Sequence, residues 1–319
     1  MSVLDRKLTF VGTPYQGDVK VSSAHVKRSQ GRWRATGDRR HPRCMAFSGV
    51  FHSNRSGRSD AVQPPSREQV ELRRCEVYRR AFPQSEIALP AYALRNRAVA
   101  KWARDDELAV DVRTCEELAV AIAMGIHPTR LTVHADGMTD AELRAAVHLA
   151  PGRVIVSSMV QIELLTALVE HRAQGVVVRV TDFAAPIVTV TGERRVRGFG
   201  FNTSVLDNAI AAILAGSRFN LVGLHCDIGS RKHDFVSFPA AIGHMITEMS
   251  RVRQRHGVVL TRVGLGGGGA VPSGDWLVEL PEIATRIDTL LDDACATTRF
   301  ARPMVVLSPG VGIVGQTAA

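Results

Sequence analysis

The chain has 319 residues, 45% of them hydrophobic and 22% charged, which excludes a disordered polymer and a small disulfide-stapled fold. Mean hydropathy is +0.02, no apolar run is long enough for a membrane span, and Met1–Phe10 lacks the apolar stretch of a secretory leader. The net charge of +9 is confined to one end: residues 1–66 hold twelve Lys and Arg against four Asp and Glu, and the remainder is electrically balanced.

That basic segment, with VSSAHVKRSQGRWRATGDRRHPR at its centre, is rich in Arg, Ser and Gly and shows no sustained hydrophobic period. Two readings stand: an arm attracted to phosphates, or a disordered or poorly packed extension. The second is favoured, because Trp33 and a few other aromatics are all that would support base stacking, so nucleic acid is not an expected partner. Five scattered cysteines (Cys44, Cys75, Cys115, Cys226, Cys295) form no CxxC pair and fit a reducing cytoplasm.

From Ser66 the pattern changes. SREQVELRRCEVYRRAF predicts an amphipathic helix capped by Ser66, with Val70, Cys75, Val77 and Tyr78 as its apolar stripe. Strand-like runs then follow at Ile87–Leu94, Leu108–Arg113, Arg130–His134, Arg153–Ser157, Val176–Val180, Leu221–Cys226, Arg262–Gly266 and Met304–Leu307. Helical stretches separate them: Asn96–Arg104, Cys115–Met124, Asp140–Leu149, Val160–His171, Val205–Ala215, Phe238–His256 and Pro281–Cys295. Helices between strands imply parallel crossovers. Eight strands predict a closed (β/α)8 barrel over 67–319, with the preceding helix plugging or flanking its bottom. An open doubly wound sheet is the competitor. Closure is favoured because Asp111, His134, Ser157, Ser158, Arg179, His225, Asp227, Gly266–Gly269 and Ser308 all fall at strand ends, where such barrels keep their chemistry.

The run VGLGGGGA (Val263–Ala270) lets backbone N–H groups approach an anion, and predicts a phosphate site at the seventh strand; the alternative is a flexible turn. It is not a dinucleotide fingerprint. His225 and Asp227, with Ser230 beyond them, rim the expected pocket. Together with His134 and Asp111 they suggest a metal-dependent hydrolase as an alternative, although no HxH or HExxH spacing supports it and no metal ligand is assigned. Thr114 with Glu117 predicts a capping box, Gly198–Asn202 a tight turn, and His233 with Asp234 a solvated loop pair.

Six segments, in order, carry a resemblance: FPQSEIA (Phe82–Ala88), RAVAKW (Arg97–Trp102), LAVDVRTCEELAVA (Leu108–Ala121), GLHCDIGS (Gly223–Ser230), LGGG (Leu265–Gly268) and SPGVGIVG (Ser308–Gly315). Over Arg67–Gly315 the chain resembles the alanine-racemase-like barrel of the pyridoxal-phosphate-dependent diaminopimelate, ornithine and arginine decarboxylases, and is most similar to actinobacterial-type diaminopimelate decarboxylases. The resemblance implies a PLP-binding (β/α)8 barrel, decarboxylation of meso-diaminopimelate in lysine biosynthesis, and an amino-acid substrate or phosphate ligand. It also implies pairing as a homodimer, or with a full-length relative. In that family a lysine after strand one holds PLP as an imine. A histidine of an HIGS motif stacks on the ring, and the glutamate of an EPGR motif faces the ring nitrogen. The phosphate lies on the glycine loop, the HIGS serine and the EPGR arginine.

Carried over position by position, Gly266, Gly267, Gly268 and Ser230 are kept, and Gly310 is kept within the last motif. The remaining positions depart. An ungapped match puts Tyr92 at the lysine; a gapped one puts Arg95 there, and neither side chain is a primary amine. Lys101, on the following helix, is expected to point away from the pocket. Asp227 replaces the stacking histidine, Ser308 the glutamate and Val311 the arginine. The family's C-terminal β-domain has no counterpart before Ala319. These departures predict an inactive or impaired enzyme, a pseudoenzyme with doubtful covalent attachment of PLP.

Overall fold

The structure, a computed structural model, describes residues 65–169, 173–181, 187–188, 194–195, 200–216, 218–227, 238–266 and 276–314. Every described residue belongs to the unit Val62–Ala319. Trp33 and the basic arm therefore lie outside the described residues.

Eight parallel strands close a barrel: β1 (Glu86–Pro90), β2 (Ala109–Val112), β3 (Leu131–His134), β4 (Arg153–Val156), β5 (Gln174–Arg179), β6 (Phe219–Asp227), β7 (Arg262–Gly266) and β8 (Met304–Ser308). Each pairs with its neighbours in chain order, and β1 pairs with both β2 and β8, which excludes the open sheet. The outer helices are α1 (Arg67–Ala81), α2 (Arg97–Asp105), α3 (Cys115–Ala123), α4 (Asp140–His148), α5 (Met159–Leu168), α6 (Thr203–Ala215), α7 (Phe238–His256), α8 (Trp276–Thr298) and α9 (Val311–Val314). Two-residue strands Ile187–Val188 and Arg194–Arg195 form a small antiparallel ribbon between β5 and α6.

Local chemistry explains most boundaries. Ser66 and Gln69 form a reciprocal capping box on α1, and Thr139 and Glu142 do the same on α4. Asn96 caps α2, Ser158 α5 and Asn202 α6 through side-chain oxygens. The expected box at α3 is incomplete. Thr114 accepts from the Glu117 N–H, but the Glu117 carboxylate turns back to the Arg113 N–H at 2.6 Å. The first strand also stops early. Past Pro90 the residues Ala91–Arg95 wind into a 3-10 turn, a choice that the short apolar run AYAL left open. Pro281 does not start α8, which begins five residues before it.

Helix α1 does not plug the barrel. It packs against α2, α8 and the short α9, so it takes the ring position that an eighth full-length helix would fill. Cys75 and Tyr78 are buried as expected, whereas Val70 and Val77 are only half-buried. The buried Glu71 belongs to a polar tie: the Asn96 amide donates to it at 3.1 Å and the Arg67 guanidinium at 2.9 Å. Between strands and helices lies the main core, with Leu89, Leu131, Leu165, Leu206, Ile210, Leu224 and Met245 fully buried. Each such side chain contributes about 1.5–3 kcal/mol of burial.

The barrel lumen is layered. Ala88, Ala109 and Val306 form a small buried apolar cluster apart from the main core. At one end of it stand Glu86, Arg153 and Arg262; at the other stand Asp111, His134, Arg179, His225, Asp227 and Ser308.

Candidate functional site

The carboxyl ends of the strands assemble a buried charged network. Parallel register sets Arg179 beside His225, His225 beside Gly264, and Asp227 and Ser308 on either side of Gly266. Glycine is required there. A Cβ on Gly264 would lie 2.5 Å from His225 Nδ1; one on Gly266 would lie 2.8 Å from His225 Nε2 and closer still to Asp227 Oδ1. The absent side chains are the space that the His225–Asp227 pair occupies.

Arg179 is the hub, with its side chain 3% exposed. Its Nη1 donates to Asp227 Oδ2. Its Nη2 donates to His134 Nδ1 at 2.7 Å and stands 3.2 Å from Asp136 Oδ1. His225 Nε2 lies 3.3 Å from Asp227 Oδ1, and Arg113 Nη2 lies 3.8 Å from the same oxygen. The His134 and His225 rings meet edge to face, with centroids 5.4 Å apart. A guanidinium has no lone pair to offer, so His134 Nδ1 is the acceptor. The neutral ring then carries its proton on Nε2, 3.5 Å from Asp111 Oδ2.

Electrostatics follow from this geometry. Burial, reinforced by the Arg113 cation, pushes His134 down to about 4 and outweighs Asp111. Burial alone would raise Asp227. The hydrogen bond with His225 and the cations Arg179 and Arg113 overcome it and hold the carboxyl well below the usual range. Asp111 is likewise raised by burial but lowered further by His134, Arg113 and a hydrogen bond from Ser308. The mouth thus keeps ionised carboxylates beside a neutral His134.

The positions expected from sequence distribute unevenly. Asp111, His134, Arg179, His225, Asp227, Gly266 and Ser308 come together. Ser230, Gly267 and Gly268, the remainder of the expected phosphate cradle, lie outside the described residues, as do His233, Asp234, Gly198 and Gly269. Gly310, with φ of +51°, turns the chain from β8 into α9, where Val311 is the first residue. Ser157 is buried at the end of β4, its N–H bonded to Gln161. Sequence reading missed Arg113 and Asp136 as members of the network. Both lie two residues past an inward-facing strand position, which is the signal that would have found them.

A metal site is a poor description of this arrangement. Among the described residues no group of three or more His, Cys, Asp or Glu is placed to hold a metal ion. The Arg179 guanidinium stands between His134 and Asp227, so a cation already fills the position between those two groups.

Covalent attachment of PLP needs a primary amine, and the described residues do not fit it. Tyr92 sits half-buried on the turn after β1, and its phenol is pushed up to about 12 by burial and Glu117, against Arg113. Arg95 is exposed. Lys101 is the one lysine among the described residues; it is exposed on α2 and paired with Asp105. Lys232 lies outside them.

Residues 68–315 match the family model of the pyridoxal-dependent decarboxylases, pyridoxal binding domain. A diaminopimelate decarboxylase of Actinosynnema pretiosum subsp. auranticum is 32% identical over 252 residues, covering 76% of this chain and 56% of the relative. One of Mycobacterium tuberculosis is 30% identical over 256 residues, covering 76% and 57%. The chain therefore spans little more than half the length of the curated relatives it matches. Among solved structures, a diaminopimelate decarboxylase variant of Helicobacter pylori, complexed with L-lysine, superposes with a TM-score of 0.66 at 17% identity, covering 77% of this chain and 62% of that one. A diaminopimelate decarboxylase from M. jannaschii, also complexed with L-lysine, gives 0.62 at 19% identity, covering 78% and 60%. These last two likenesses establish the shared barrel. With a family match across most of its length, the chain belongs to the pyridoxal-dependent decarboxylases, through the pyridoxal-binding barrel that they share.

Proposed function

We propose that the chain is a non-catalytic relative of diaminopimelate decarboxylase, a pyridoxal-phosphate barrel that does not attach the cofactor covalently and does not turn over diaminopimelate. The observation that carries this reading is the missing amine: among the described residues the sole lysine is Lys101, exposed on the outer ring.

Other features of the mouth support it. In this reading Tyr92 occupies the family's lysine position and, with its phenol near 12, stays protonated at neutral pH. Asp227 stands where the family stacks an imidazole, and its carboxylate is held by Arg179 rather than lying flat as a ring. Ser308 stands where the family places a glutamate. A neutral hydroxyl holds a pyridine proton less firmly than a carboxylate does. The retained anion cradle of Ser230, Gly266, Gly267 and Gly268, with Gly310, goes with non-covalent binding of phosphate or PLP.

The barrel then acts by binding an amino acid or phosphate ligand, paired with itself or with a full-length relative. The division into a basic segment, 1–66, and a barrel, 67–319, belongs to the same reading. So does a cytoplasmic location: no described helix is long and apolar enough to cross a membrane, and Cys75, Cys115 and Cys295 are free thiols.

The direct test is lysine formation from meso-diaminopimelate by the purified chain with added PLP. The expected result is none above the PLP-only control. Turnover at an ordinary enzymatic rate, on the order of 1 per second or faster, overturns the proposal.

A further inference from the structure

We propose that the opposite end of the barrel, where the strands begin, is a second binding site, for a small organic oxyanion, with Arg262 as its principal contact. A cavity of about 480 Å³ opens there, lined by Glu86, Glu107, Arg130, Arg153, Val222 and Arg262 among others. That volume lies in the range of small-molecule sites, roughly 300–1,000 Å³.

The donors around the cavity are unequally committed. Arg153 spends its fork on Glu86, with Nη1 on Oε2 at 3.1 Å and Nη2 on Oε1, and turns Nε to Thr132 Oγ1 at 3.2 Å. Arg130 is paired with Glu107 at 2.7 Å. Arg262 reaches Glu86 only at 3.4 Å through Nη2, and its buried Nε has no partner among the described residues. Three guanidiniums therefore face two carboxylates around this cavity, and Arg262, which shares Glu86 with Arg153 through its longest contact, is the least neutralised of them. A buried N–H without an acceptor is costly, and a planar fork with unspent donors matches a carboxylate or phosphate. Ala109, Ala173 and Val222 supply apolar wall, so the ligand that fits carries an apolar body behind its anionic head.

The lining of this cavity shares no residue with the Arg179 network, which makes it a separate site. Glu86 is the anion that already bridges Arg153 and Arg262, and it competes with any ligand for both.

The test is calorimetric titration of the full chain with phenyl phosphate and with benzoate, which present the two head groups on one apolar body. At least one probe is expected to bind with one-to-one stoichiometry. Arg262→Gln is expected to weaken it at least tenfold, and Glu86→Gln, which frees both guanidiniums, to tighten it at least threefold. The second variant guards against a folding defect in the first, since a gain of affinity cannot come from unfolding. The proposal is overturned by the absence of binding for both probes, by unchanged affinity in folded Arg262→Gln, or by weaker binding in folded Glu86→Gln. Binding that is insensitive to Arg262 would place the anion in the other mouth.

Discussion

The two ends of this barrel use the same pair of groups, guanidinium and carboxylate, under different conditions. At the carboxyl end Arg179 is 3% exposed and both of its terminal nitrogens are committed, to Asp227 and to His134. At the amino end Arg262 is 36% exposed, and its closest carboxylate oxygen lies 3.4 Å away. Two ions that leave water together depend on each other, and removing one strands the other in a poor solvent. A half-exposed pair keeps water as a substitute partner and contributes little. The carboxyl end is therefore a network that cannot lose a member cheaply, and the amino end is a site with capacity to spare.

The comparison breaks most visibly at Arg179. Arg179→Met leaves His134 Nδ1 without its donor, Asp136 without the cation 3.2 Å away, and Asp227 with only His225 at 3.3 Å and Arg113 at 3.8 Å. The expected loss is about 3–5 kcal/mol of stability, read as a fall in the urea midpoint. A change below about 1 kcal/mol would show that the network is not what holds the mouth together.

Next in size is a pH effect. His134 is lowered to about 4 in the folded chain against about 6.5 unfolded, so between those values the unfolded chain binds the extra proton. Stability from this group is fully present above about pH 6.5, falls as the pH drops toward about 4, and amounts to roughly 3 kcal/mol. Asp227 and Asp111 are lowered, so their contribution persists above about pH 4 and is lost only in stronger acid. Urea midpoints of His134→Gln across this window should lack the step between about pH 6.5 and about pH 4. An identical profile for variant and parent contradicts the assignment.

Gly266→Ala is expected to cost about 1–3 kcal/mol, because the new methyl meets Asp227 and His225, both held in place. The smallest effect belongs to the open end. Glu86→Gln should cost about 1 kcal/mol, since Arg153 and Arg262 both retain access to water there. If Glu86→Gln proved the costlier of the two, the contrast between the ends would be reversed.

Much of this architecture is legible in the sequence, for identifiable reasons. Strand β7 and helix α7 are read with their observed bounds, because Arg262–Gly266 is a short run between Thr261 and a string of glycines and Phe238–His256 repeats with helical period. The turn after Pro90 is not legible, since AYALR suits a strand or a helical turn equally and only packing decides. The register shift near Val176 and Val177, where β5 meets β6, is a pairing property that single-strand patterns do not encode. At the site, inward positions such as Asp111, His134 and Asp227 stand out because polar residues rarely end apolar strands. What they do to one another is invisible in sequence. Arg179 lies between His134 and Asp227 only because closure of the barrel turns the ends of β3, β5 and β6 toward one another. The charged starts of β1, β4 and β7, Glu86, Arg153 and Arg262, are equally plain in the sequence, but they acquire meaning only when closure of the barrel sets them around one cavity.

The central proposal, that this pyridoxal-type barrel, whose one described lysine is Lys101 on the outer ring, does not attach the cofactor covalently, is tested most directly by covalent capture. The purified full chain is mixed with equimolar PLP, reduced with borohydride and measured by intact mass and peptide mapping. The account predicts that no lysine becomes labelled to stoichiometry. Stoichiometric labelling of a single lysine, Lys232 included, would contradict it.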